Sequence, residues 1–277
     1  MKTLIKISLL KNVKRLHLIN EYHLVTVSPW PLLIRIIVIN RIICIIINFA
    51  SYSNMYYIYI IVFISSITAF CWWRDINREA SLTGDHSILV YNYILFGMIL
   101  FIVREVFFFI RFFWRFFFYF KGGDVFIIID VWPPNSIELF HPGFIPLLNS
   151  LLLLTSGCTL TIRHYILLNM ELNKSEIWLI LTLFLGLIFT CVQLKEYTEA
   201  STTIIDSSFG SIFFTGTGFH GLHVLVGSLF LLYTLVRIHI SILRSEEHRG
   251  FNNRAWYWHF VDVVWLLLYT VFYVIIY

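Results

Sequence analysis

Charge is what this sequence has least of. Asp, Glu, Lys and Arg make up 13% of its 277 residues, while 59% are hydrophobic and the mean hydropathy is +0.81. A soluble domain carries about 25% charged residues. The apolar residues run along nearly the whole length, so a core in water would not hide them; the surrounding solvent is a bilayer. Cysteine is sparse too. Cys44, Cys71, Cys158 and Cys191 lie far apart, each in or beside an apolar run, with no CxxC pair. They read as four small buried hydrophobes. The net charge is only +4, and no basic cluster sits among aromatics as on a groove-binding surface, which excludes nucleic acid as a partner. No phosphate-cradling glycine loop, Ser/His/Asp arrangement or HExxH is present, so local chemistry identifies no catalyst.

What is present is a set of long apolar runs. A spanning helix needs about 20 mostly apolar residues, because its backbone groups must pair internally in lipid. Seven stretches qualify, at 31–50, 56–73, 87–118, 146–167, 176–194, 209–236 and 256–276. The third reaches about 48 Å at 1.5 Å per residue, so it must tilt or project. No internal repeat or low-complexity linker divides the chain. The expected organisation is an all-α polytopic membrane protein with a basic tail at 1–29, two helices at 30–80 and five at 81–277.

The basic residues between spans set an orientation. Thirteen fall in the tail and in the segments after spans two, four and six, Arg163 being counted with the segment after span four; Lys121 and Lys195 alone fall on the opposite side. By the positive-inside rule the N-terminus faces the matrix or cytoplasm and the C-terminus the other side. The tail, MKTLIKISLLKNVKRLHLIN, reads as a retained segment lying on the membrane surface rather than a cleaved targeting peptide, since it lacks an A-x-A site.

Ionisable residues at bilayer depth cost about 2.5–3.5 kcal/mol each on insertion scales, so those that persist need partners or a function. FIVREVFFFIRFFWRFFFYF at 101–120 holds Arg104, Glu105, Arg111 and Arg115. At about 100° per residue the three arginines share one stripe and Glu105 points about 100° away. Two readings stand: a local Arg–Glu neutralisation, or two surfaces. In the second, a basic stripe meets lipid phosphate or an acidic partner, and an isolated carboxyl sits where desolvation disfavours its charged form. TGTGFHGLHVLVGS at 215–228 has glycines for close helix approach and His220 with His223 one turn apart, able to ligate a metal or to hydrogen-bond a packed neighbour. In WYWHFVDVVW at 256–265, His259 and Asp262 share a helical face and can pair; Trp256, Tyr257 and Trp258 form an interfacial belt.

Together, TGFHGLHVLVGSLFLL and AWYWHFVDVVWLLLY closely resemble subunit III of the mitochondrial-type cytochrome c oxidase. SPWPLL at 28–33, CWWRDINREA at 71–80, FGMILFIVREVFFF at 96–109, VWPPNSIE with IPLLNSLLLLTSG at 131–157, and QLKEYTEA at 193–200 extend the resemblance over nearly the whole chain from Ser28 onward. The resemblance implies seven transmembrane helices, two separated from five by a lipid-filled cleft. It implies no haem, copper or other metal in this chain, the haem a and copper belonging to partner subunits I and II, and packing and hydrogen-bonding roles for His220 and His223. It implies a subunit that stabilises the catalytic core, holds phospholipids (cardiolipin, phosphatidylethanolamine or phosphatidylglycerol) and supports proton uptake. Its place would be the mitochondrial inner membrane, N-terminus in the matrix and C-terminus in the intermembrane space, beside accessory subunits.

By the same resemblance Glu105 stands for a buried, carbodiimide-reactive carboxyl, and Trp73, Arg78, Glu79, His86 and Arg237 for residues around lipid head groups. The chain departs from the family pattern at Arg104, Arg111 and Arg115, where small residues are usual, at Glu246–Glu247, and in the length of its basic tail. Two other functions stay open. A quinol-oxidase subunit of this type usually lacks the first two helices, against SPWPLL and WWRDINREA. A proton-coupled transporter using Glu105 calls for repeated halves with broken helices, and none is seen.

Overall fold

The computed structural model describes residues 25, 27–51, 56–80, 86–121, 137–169, 171–239 and 247–277. Its elements are α1 (Trp30–Ser51), α2 (Tyr56–Arg78), α3 (Ile88–Phe120), α4 (Ile145–Leu168), α5 (Leu172–Glu199), α6 (Ser208–His239) and α7 (Glu247–Tyr269), the last continued by a π-helical turn, Thr270–Val274. Among the described residues these seven helices are each long and apolar enough to cross a bilayer. The basic tail up to His23–Leu24, most of VWPPNSIE, and Arg244 with Glu246 lie outside the described residues.

The helix limits follow the apolar runs closely, with one large difference. The seventh apolar run starts at 256, whereas α7 starts at Glu247. Residues EHRGFNNR are too polar for hydrocarbon, but a helix already nucleated in lipid continues into water without a second nucleation step. Arg163 also differs from its place in the charge tally: it lies within α4, buried, with its guanidinium 3.9 Å over the Phe251 ring.

The chain packs as two compact units, Met1–Leu95 and Phe96–Tyr277. In the first, α1 packs on α2. Pro31 occupies the first turn of α1, where its missing N–H breaks no helical bond. Trp30 Nε1 donates to Asp75 Oδ2 at 2.9 Å, tying the start of α1 to the end of α2. Ser65, Ser66 and Thr68 return their hydroxyls to carbonyls three or four residues earlier on α2, so these three hydroxyls need no water.

In the second unit, α4 pairs with α5, α5 with α6, and α7 packs on both α4 and α6. The three-residue link between α4 and α5 makes them antiparallel neighbours. Trp258 of α7, fully buried, is where all four helices meet. Its Nε1 donates to Ser156 Oγ of α4 at 2.9 Å. A Cβ added at Gly186 of α5 or at Gly227 of α6 would lie 2.9 Å from the indole, so only glycine lets both backbones close on its faces. Seven residues on, Trp265 Nε1 donates to Ser150 Oγ at 3.0 Å, and its ring meets Phe189 of α5 edge-on at 4.9 Å.

Most outward faces carry exposed aliphatic and aromatic side chains, as a lipid-facing surface does. Cys158 and Cys191, read as buried, are among the exposed residues; their apolar surroundings are lipid rather than core. At the far end of α7, Ile275 N–H bonds to Thr270 O at 3.0 Å. This i→i+5 bond widens the turn and seats three consecutive residues, Val271, Phe272 and Tyr273, inward.

Gly227→Ala is expected to destabilise the second unit by about 1–3 kcal/mol through overpacking. Gly218→Ala, whose added Cβ meets nothing within 4 Å, is expected to stay near wild type. Thermal unfolding of the detergent-solubilised protein, followed by tryptophan fluorescence, checks the contrast.

Candidate functional site

Glu105 is the only carboxylate in α3, a helix otherwise rich in Phe, Ile and Leu. Its Oε1 accepts Arg104 Nη2 at 2.7 Å and Nε at 3.1 Å. Its Oε2 lies 3.2 Å from His223 Nε2 of α6. The arginine side chain is 70% exposed, the glutamate only 13% and the histidine 15%. The sequence geometry separates Arg104 and Glu105 by about 100°, which suggests different surroundings. The structure joins them instead, because the long arginine side chain bends back around the helix; it also crosses the Phe101 ring at 4.8 Å.

The opposite ring nitrogen of His223 fixes the proton count. Nδ1 lies 2.6 Å from Phe219 O. A carbonyl only accepts, so Nδ1 carries hydrogen. Nε2 and Glu105 Oε2 therefore share a single proton: either Glu105 donates an O–H to neutral His223, or imidazolium His223 donates an N–H to the carboxylate. Phe109, Tyr257 and Phe260 surround the imidazole, with centroids at 5.2, 6.2 and 6.3 Å. At 3.2 Å, moving the proton between the two atoms needs no rotation of either side chain.

His220 answers to a different neighbour. It is 1% exposed, its Nε2 donates to Val261 O at 3.2 Å, and its ring packs 5.1 Å from Trp265 and 5.7 Å from Phe189. The two histidines thus turn to separate acceptors on α7 and α3. Among the described residues no group of three or more His, Cys, Asp or Glu side chains converges as a metal site. His259 Nδ1 and Asp262 Oδ2 are 3.8 Å apart, an ion-pair distance but too long for a hydrogen bond. Asp262 instead presses its Oδ2 on α4 at Gly157, where an added Cβ would lie 2.5 Å away.

The head-group candidates fall on other parts of the chain. Trp73 and Arg78 are exposed near the end of α2, Glu79 and His86 are half-buried residues of the first unit, and Arg237 is half-buried at the end of α6 with its guanidinium 5.8 Å from the Tyr233 ring. Between Trp73 and Arg78, Asp75 collects Trp30 and Arg74, a role that sequence reasoning missed.

It also missed a fully buried carboxyl. Glu196 of α5 is fully buried, with Tyr273 and Gln193 beside it. Gln193 Oε1 accepts Asn149 Nδ2 of α4 at 3.1 Å, and Tyr197 Oη donates to Thr217 Oγ1 of α6 at 2.8 Å. The signal was present in QLKEYTEA: Gln193 and Glu196 sit three apart, on one face of an apolar helix.

Known proteins place the chain firmly. A family model described as cytochrome c oxidase subunit III matches residues 20–277. The protein named "Cytochrome c oxidase subunit 3" from the tick Rhipicephalus sanguineus is 45% identical over 257 residues, covering 92% of this chain and 98% of its own length. The proteins of the same name from the red alga Chondrus crispus and the platypus Ornithorhynchus anatinus are 41% and 43% identical. These cover 99% and 93% of this chain, and 98% of their own length in both cases.

Glu105→Ala removes the acceptor of Arg104 and the partner of His223 together. It is expected to cost about 1–3 kcal/mol, the penalty for orphaning buried polar groups. Arg104→Ala with Glu105→Ala is expected to recover part of that loss, because the unpaired cation goes too. Thermal midpoints of the two variants and their single-mutant controls give the comparison.

Proposed function

Because the chain belongs to the cytochrome c oxidase subunit III family, we propose that it is a non-catalytic core subunit of a proton-pumping haem–copper oxidase in the mitochondrial inner membrane. Its N-terminal side faces the matrix and its C-terminus the intermembrane space, a reading supported by the asymmetry of basic residues, twelve to two once Arg163 is set within α4. In the assembly, electrons from cytochrome c reduce oxygen to water at haem a and copper centres held by subunits I and II. The single observation that carries this reading is the family match across residues 20–277. The seven long apolar helices support it.

Within that assembly the chain's own residues have three tasks. The α4–α7 bundle, closed on Trp258 and Trp265, gives the catalytic subunits a rigid flank. Trp73, Arg78, Glu79, His86 and Arg237 receive phospholipid head groups: an arginine offers parallel N–H donors to phosphate oxygens, and an interfacial tryptophan lies at head-group level. Glu105 and His223 hold one transferable proton in an apolar cage, with Arg104 stabilising the carboxylate when the proton moves to His223. A pair of this kind retains a proton near the membrane middle and returns it without exchanging with bulk water, which suits a supporting role in proton uptake.

Purification through an affinity tag on this chain is expected to bring down haem a, copper and cytochrome c-oxidising activity. Isolation of an intact chain with none of the three refutes the reading. Glu105→Gln keeps the side-chain shape and removes the carboxyl proton; the complex is expected to keep its haem content while proton uptake during turnover slows, measured by stopped-flow with a pH-sensitive dye. His223→Gln is expected to slow it in the same direction.

A further inference from the structure

A charged face remains on α3 that Glu105 does not serve. Arg111 and Arg115 follow Arg104 by seven and eleven residues, which places all three within about 40° around the helix. Both are exposed, with Trp114, 76% exposed, between them. Arg115 Nη2 donates to Tyr119 Oη at 3.4 Å, and its guanidinium lies 5.7 Å from that ring. Neither arginine meets an acid among the described residues. Glu105, six residues before Arg111, is taken by Arg104 and His223. Arginine stays ionised under all ordinary conditions, so the two positive charges need a counter-anion that none of the described residues supplies.

Their depth says by what. Exposed interfacial aromatics mark the two membrane edges. Tyr93 and Trp114 are 59% and 76% exposed and stand 21 residues apart, about 32 Å along the helix, which matches a hydrocarbon thickness of about 30 Å. In that frame Arg104 and Glu105 fall near the middle. Arg111 lies about 4.5 Å inside the Trp114 edge and Arg115 about 1.5 Å beyond it. Long side chains at these levels carry their charge outward to the head groups. Phe107 and Ile110, four residues and one residue nearer the middle than Arg111 and both exposed, offer an apolar track for acyl chains.

We propose that Arg111 and Arg115 form a binding site for one anionic phospholipid at the C-terminal edge of α3. Both guanidiniums donate to its phosphate oxygens, and its chains descend along Phe107 and Ile110. The proposal rests on the reading of the chain as a membrane subunit. A zwitterionic head group brings its own cation and leaves the two charges uncompensated. An acidic side chain on a neighbouring helix, at the level of Arg111, would itself cost about 2.5–3.5 kcal/mol to insert, whereas lipid phosphate lies at the membrane edge already.

The test uses the complete complex purified through this chain in mild detergent, its retained lipids measured by native mass spectrometry and by lipid extraction. The wild type is expected to retain one more anionic phospholipid than the Arg111→Gln/Arg115→Gln variant, with occupancy reduced at least tenfold. The Arg111→Lys/Arg115→Lys variant keeps much of it, since an ammonium still binds phosphate. If the double Gln variant does not assemble, Arg111→Gln and Arg115→Gln singly are each expected to lower retention severalfold. Equal anionic-lipid content in wild type and assembled variants overturns the proposal. So does a carbodiimide crosslink from position 111 of the Arg111→Lys variant to a carboxylate of a neighbouring subunit. Haem content, measured on the same preparations, reports separately on the subunit reading.

Discussion

The buried indole N–H groups of this bundle find their acceptors within the protein, and in lipid that pairing specifies how the helices meet in a way that apolar contact does not. Between lipid tails there is no hydrophobic force to sort one apolar helix face from another. The indole N–H groups of Trp258 and Trp265 supply the discrimination. Each reaches a serine on α4, and each serine in turn donates to a carbonyl of its own helix, Ser156 to Leu153 and Ser150 to Pro146. These relays fix the antiparallel register of α4 and α7, the later indole meeting the earlier serine. Glycines on α5 and α6 then close over the Trp258 ring. Thr159 and Thr182, sharing a hydrogen bond at 2.8 Å, repeat the device between α4 and α5.

The charges of α3 follow the same requirement, graded by depth. At mid-helix Glu105 pairs with Arg104 and His223. Toward the C-terminal end Arg115 meets the Tyr119 hydroxyl, and neither Arg111 nor Arg115 meets an acid among the described residues. One helix thus carries a paired arginine and two without a carboxylate, about two turns further on. The site in the middle combines a fixed cation, a carboxylate and an imidazole whose far nitrogen is already committed, which leaves one proton and two places for it.

The spans were legible because hydropathy is a local property and lipid penalises a short or interrupted run directly. The start of α7 was not: its first turns lie among polar residues, and a helical backbone has no reason to stop where apolar composition does. The positions of Glu105 and His223 within their motifs were readable, but not their meeting, since 118 residues separate them and helix packing alone brings them together. Angular reasoning separated Arg104 from Glu105 because it follows Cα–Cβ directions, while a guanidinium several bonds away ignores them. Glu196 stayed hidden for a different reason. A single acid near a helix end looks solvated in sequence, and only the packing of Tyr273 and Asn149 from two other helices shows that it is enclosed.

The position of α7 in chain order has a consequence for biogenesis. It is the last of the seven helices to be synthesised, yet it carries the rings around which α4, α5 and α6 close. Until it is inserted, the serine hydroxyls of α4 and the glycine notches of α5 and α6 have nothing to enclose. The α4–α7 bundle therefore reaches its final packing only after translation has passed residue 265.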